Sequence, residues 1–164
     1  IKGWYKGQIA LYLCNTLYNT ARLKEIGGFS SKKNLFDDLV PTFTLAIKYG
    51  RVDILEEKAS FRRHSGNAGS SVPIHDWIDD SLYLLDQIYS LFPSECHDLS
   101  DDGRLYFCKK LYRYTAVRQG RLNRLMDYIR IYREYGFCYS PVRHLYLGRV
   151  SRKLAKIKQA LARN

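Results

Sequence analysis

Long apolar runs are missing from this sequence. Nothing in its 164 residues approaches the roughly 18 to 20 consecutive apolar positions that a membrane-crossing helix needs. The opening stretch IKGWYKGQIALYLCN has neither the apolar core nor the small-residue cleavage site of a secretory signal, so it is not itself expected to be one. It also lacks an initiator methionine, and the only methionine is Met126. The natural reading frame is therefore expected to begin upstream, making this chain a piece of a longer protein. Cysteine is scarce: Cys14, Cys96, Cys108 and Cys138 stand singly, with no C-x-x-C among them. That pattern supports neither a zinc cluster nor a disulfide framework, so reduced thiols in a cytoplasmic protein are expected. Cys96 and His97 are neighbours, but two ligands without others do not hold zinc.

Acidic residues are unevenly scarce. Residues 1–100 carry 11 Lys and Arg against 12 Asp and Glu, a balance of −1. Residues 101–164 carry 16 against 4, a balance of +12, so the net +11 belongs to the C-terminal third. Such asymmetry points to a polyanionic partner or an acidic membrane surface.

What is present divides the chain into two regions, 1–70 and 71–164. QIALYLCNTLYN (8–19) is aliphatic and aromatic without a breaker and reads as a strand or strand pair. Next comes a short helix that Thr20 can cap and Gly27–Gly28 stop. DDLVPTFTLAIKY places Leu39, Val40, Phe43, Ala46 and Ile47 at helical spacing, with Pro41 in the first turn and Gly50 at the end. Val52–Leu55 and Ala59–Arg63 read as short extended pieces, and SGNAGSS (65–71) as a flexible boundary. Beyond it, helices are expected over Asp76–Phe92, Gly103–Gln119, Gly120–Tyr135 and Val142–Ala162. The fold class is thus an α/β piece followed by a C-terminal helical bundle, helix-rich overall.

Four groups in the first region carry a resemblance. Ile26-Gly27-Gly28-Phe29 precedes the acidic pair Asp37-Asp38; Leu45-Ala46 with Gly50 closes the following helix; Phe61-Arg62-Arg63-His64 comes last. In order and spacing this resembles the C-terminal half of the catalytic domain of family 2 glycosyltransferases, which have the GT-A fold. In that family I-G-G-F precedes an E-D dipeptide that opens a helix, and Y-R-x-H closes the site. Asp37 stands where Glu is usual and Phe61 where Tyr is. The family's metal-binding D-x-D motif occurs nowhere in this sequence. The match spans residues 1–70 and implies the acceptor-side part of a GT-A domain lacking its nucleotide-binding half.

The resemblance implies an inverting sugar transfer from a nucleotide-sugar donor to a saccharide or lipid-linked acceptor, of the kind used in bacterial surface polysaccharide synthesis. It makes Asp38 the general base that deprotonates the acceptor hydroxyl, with Asp37 positioning the acceptor or capping the helix. It makes His64 a contact to a divalent metal (magnesium or manganese) or to the diphosphate, and Arg62 or Arg63 a charged neighbour. The residues alone allow plainer roles. Acids at a helix start commonly cap it, a histidine closing a strand commonly bonds to backbone, and only one of two successive arginines on a strand faces a given side. Trp4 and Tyr5 would stack on an acceptor sugar or belong to the core. Asp79–Asp80 and Asp101–Asp102 read as helix-start or loop charges.

The basic third offers two further readings. In LGRVSRKLAKIKQALARN (147–164), Leu147, Val150, Leu154, Ile157 and Leu161 form one stripe among six basic residues. Such a helix suits an anionic membrane, placing the protein in the cytoplasm or peripherally on the inner face of the plasma membrane; packed on the bundle, it would instead expose a solvated basic face. Tyrosine and arginine alternate through 112–136, as on nucleic-acid surfaces, yet no recognised nucleic-acid motif occurs, and Leu122, Leu125, Met126, Ile129 and Tyr132 read as core. A nucleic-acid or protein-interaction module without catalysis is the alternative function. A homodimer through the edge at 1–19 is a further expectation.

Overall fold

The computed structural model describes residues 1–9, 11–54, 60, 72–92, 96–116 and 120–148. They are helical wherever they are regular: α1 (Lys2–Tyr5), a 3₁₀ turn (Leu13–Asn15), α2 (Thr20–Glu25), α3 (Leu39–Tyr49), α4 (Ile74–Leu91), α5 (Cys96–Ala116) and α6 (Arg121–Glu134). Residues 141–148 form one further helical stretch, α7. The chain divides into two units, Ile1–Tyr106 and Phe107–Asn164.

The helix-rich reading holds; the α/β reading does not, since no strand occurs among the described residues. The expected strand over 8–19 is the main correction. Tyr12 and Thr16 do have extended backbone, but the turn Leu13–Asn15 separates them. Asn15 explains why. Its side-chain oxygen accepts from the Tyr12 N–H at 3.0 Å, and the Thr16 hydroxyl donates to the Tyr12 carbonyl at 3.0 Å. Side chains that bond to nearby backbone offer it an alternative to a sheet ladder. Residues 52–54 are likewise outside any strand, and 55–59 and 61–71 lie outside the described residues.

Local rules explain the helix ends better. α2 is capped by Asn19 rather than Thr20: its side chain accepts from the Arg22 N–H at 3.1 Å. At the other end Gly28 N–H bonds to the Leu23 carbonyl and Gly27 N–H to that of Lys24, with both glycines at positive φ. This paired closure needs a left-handed residue after the helix, which glycine supplies without strain. α3 runs from Leu39 to Tyr49 and closes at Gly50 as its periodicity predicts, with Pro41 in the first turn where an N–H has no intrahelical acceptor. α5 is the exception. It passes straight through Gly103 and begins at Cys96, seven residues before the expected start.

Gly103 is a point of close packing in the first unit. A Cβ there would lie 2.5 Å from the Leu85 Cδ2 of α4 and 2.8 Å from the Tyr5 hydroxyl. Around it Leu84, Leu85, Ile88 and Leu99 are almost fully buried, and Trp4 sits among Tyr5, Phe43 and Tyr106 with ring centroids about 5 Å apart. Trp4 and Tyr5 are thus core residues, not a sugar-stacking platform. In the second unit Phe107, Leu111, Tyr112, Ile131 and Tyr135 are sealed from solvent, and Tyr112, Tyr128, Tyr139 and His144 cluster ring against ring.

Candidate functional site

The acidic pair lies where a loop enters α3. Asp38 occupies the N-cap position, yet its side chain makes no capping hydrogen bond. Capping, the plain explanation for an acid here, does not account for this side chain. Burial raises its carboxyl above the ordinary aspartate range, and the neighbouring Asp37 charge raises it further; backbone N–H groups of Asp38, Leu13 and Leu39 partly offset both. The turn Leu13–Asn15 is what brings the Leu13 N–H to the carboxylate. So the irregular segment that replaces the expected strand lies beside the acidic pair.

Two hydroxyl groups hold the Asp38 backbone. Thr42, one turn beyond Asp38, donates to the Asp38 carbonyl at 2.6 Å. Its single proton is then committed, so the Tyr18 hydroxyl donates to Thr42 Oγ1 at 2.7 Å. Burial, opposed in part by this bond, holds the Tyr18 phenol above its ordinary value, keeping it a neutral donor. Phe29 meets Tyr18 edge to face at 5.3 Å, which joins the I-G-G-F segment to the acidic pair. Neither Tyr18 nor Thr42 stands out in the sequence, although the i, i+4 spacing of Asp38 and Thr42 on a helix is a readable signal.

The loop that delivers the pair is held from a distance. Asp80, fully buried on α4, accepts from the N–H groups of Lys33 (2.7 Å), Leu35 (2.8 Å) and Phe36 (3.0 Å) and from the Ser31 hydroxyl (3.1 Å). One carboxylate thus organises four donors over residues 31–36, immediately before Asp37. Asp76 reinforces it with an ion pair to Lys33 at 3.1 Å, and Asp79 reaches Lys32 at 3.9 Å. Asp76, Asp79 and Asp80 share one face of α4 by their i, i+3, i+4 spacing. Asp80 is therefore not the helix-start or loop charge that its sequence context suggests; it is a buried anchor.

α2 is tied to α3 beside this site. Glu25 accepts from Arg22 at 2.8 Å and from the Tyr49 hydroxyl, while the Arg22 guanidinium lies 4.5 Å over the Tyr49 ring. These groups are exposed, and a surface ion pair is worth little by itself.

Of the candidate residues, Asp37 and Asp38 are brought together and half-buried, and Arg62, Arg63 and His64 lie outside the described residues. For the implied divalent metal, no group of three or more His, Cys, Asp or Glu side chains suited to a metal ion occurs among the described residues. Two adjacent carboxylates do not by themselves fit such an ion. Among the described residues, no helix is long and apolar enough to cross a membrane. Comparison with protein-family models, curated proteins and solved structures found no match.

Proposed function

We propose that this chain carries the acceptor side of an inverting glycosyltransferase that moves a sugar from a nucleotide-sugar donor to a saccharide or lipid-linked acceptor. The observation that carries the proposal is the state of Asp38. Its carboxyl is half-buried, held above the ordinary range by burial and by Asp37, and not used as a helix cap. A carboxylate kept proton-hungry in a partly dry site suits general-base work, and an acid that merely ended a helix would need none of this. The order of I-G-G-F, the acidic pair and R-R-H supports the same assignment.

In the proposed step the acceptor hydroxyl gives its proton to the Asp38 carboxylate as its oxygen bonds to the anomeric carbon. The bond from that carbon to the diphosphate oxygen breaks on the opposite face, and the nucleoside diphosphate leaves with the electron pair. Asp37 raises the proton affinity of Asp38 and is placed to accept from a second acceptor hydroxyl. Tyr18 and Thr42 hold the Asp38 backbone, fixing the angle at which its carboxylate meets the acceptor. A divalent metal would offset the diphosphate charge; the resemblance assigns His64 of this chain to hold it, with Arg62 or Arg63 beside it.

The test is Asp38→Asn in the complete enzyme with its nucleotide-binding half. Transfer should fall by about a hundredfold or more, the usual range for removing a general base, while donor affinity stays near wild type. Turnover within a few fold of wild type would sink the assignment.

A further inference from the structure

Of the five residues expected to form the core stripe of α6, Tyr132 is half-buried against Phe137 and the other four are not in the core. Leu122, Leu125, Met126 and Ile129 are 72%, 52%, 60% and 51% exposed, while the helix buries Tyr128 and Ile131 on its other side. At 100° per residue the four exposed side chains fall within about a third of the helix circumference, roughly opposite the buried pair. Arg121 and Arg130, both exposed, border this stripe, and Arg133 closes its C-terminal end. α7 repeats the spacing: Val142, Leu145 and Tyr146 are exposed, and His144 turns inward onto Tyr112.

We infer that the outward face of α6 docks onto an anionic phospholipid surface, independently of the proposed sugar transfer. Charge selects this occupant. Residues 120–148 carry five arginines against Asp127 and Glu134, and residues 149–164 add six basic residues and no acid. A second copy of so basic a surface would be repelled. A nucleic acid would satisfy the arginines but leave Leu122, Leu125, Met126 and Ile129 against phosphates and water. A bilayer interface answers both: acyl chains take the apolar stripe, and lipid phosphates take the bordering arginines. A contiguous exposed row of four large apolar residues also needs a partner of some kind.

Met126 lies in the middle of the stripe and is the only methionine, so it reports on this face by itself. The full chain is treated with dilute peroxide and its Met126 sulfoxide followed by mass spectrometry. Phosphatidylcholine–phosphatidylglycerol vesicles should slow oxidation at least threefold, and phosphatidylcholine vesicles should not. In flotation assays L125E/I129E should bind the anionic vesicles at least tenfold more weakly; both positions are exposed, so its unfolding transition should match wild type. Unchanged oxidation with anionic vesicles would overturn the proposal whatever the double variant does. So would lipid-free protection that grows with protein concentration, which would mean self-association, or protection by duplex nucleic acid in place of vesicles.

Discussion

Asp80 anchors the loop that presents the acidic pair, and removing it should show how much that anchor contributes. In Asp80→Ala the N–H groups of Lys33, Leu35 and Phe36 and the Ser31 hydroxyl lose their acceptor together. A hydrogen bond to a charged group contributes about 1.5–3 kcal/mol, so four would total far more than such a substitution usually costs. Water decides the difference. Only the bond to Phe36 is buried; the other three are part-buried, and their donors can rehydrate once the loop loosens. The expected loss is therefore about 3–5 kcal/mol, as for breaking other buried charged networks. Against a total stability of about 5–15 kcal/mol, that would lower Tm by on the order of 10 °C. Asp80→Asn is the informative partner. Its oxygen can keep the three donors that meet Oδ2, but its amide then faces the Lys33 N–H, so about 1–2 kcal/mol is lost. Urea unfolding gives both numbers, and amide exchange at Lys33, Leu35 and Phe36 shows where the opening occurs. An alanine variant within about 0.5 kcal/mol of wild type, or unchanged exchange at those amides, would refute the anchor.

Three other outcomes follow from the same structure. Among the described residues the buried Tyr5 hydroxyl finds no hydrogen-bond partner, so Tyr5→Phe should be neutral or stabilising by up to about 1 kcal/mol in urea unfolding; a clear loss would contradict this. Gly103→Ala forces a methyl group into Leu85 and Tyr5 and should cost about 1–3 kcal/mol by the same assay, despite the better helix propensity of alanine. Burial, aided by Arg113, holds the His144 imidazole below its ordinary 6.5, so folding favours the neutral form. Its contribution is complete above pH 6.5 and is lost as pH falls through the lowered folded value; His144→Gln should flatten that part of the stability profile, and an unchanged slope would count against it.

How much was legible depends on how far apart the deciding residues stand. The ends of α2 and α3 were readable because Gly27, Gly28 and Gly50 act on their own backbone. Gly103 looked like a helix start for the same reason, but tight packing against Leu85 and Tyr5 selects glycine within a helix. The 8–19 segment has strand composition, yet Asn15 and Thr16 bend it locally. Asp80 could not be linked to residues 31–36 by any local rule, since the contact spans more than 40 positions. For α6 the period was right and the exposed side wrong, because Leu122, Leu125, Met126 and Ile129 outline an apolar face without saying what covers it. The acidic pair itself was visible; the burial and the Leu13 contact that distinguish Asp38 from a cap were not.

The central claim is that Asp38 is held as a base and not as a cap, and its most direct test is the stability of Asp38→Asn across pH. A carboxyl raised in the folded state contributes its stability below the ordinary value of 3.8 and loses it as pH rises through the folded value. Wild type should therefore be less stable than Asp38→Asn at neutral pH, with the gap closing towards pH 3. A capping carboxylate gives the opposite sign: Asp38→Asn would be no more stable than wild type at neutral pH, and that result would contradict the account.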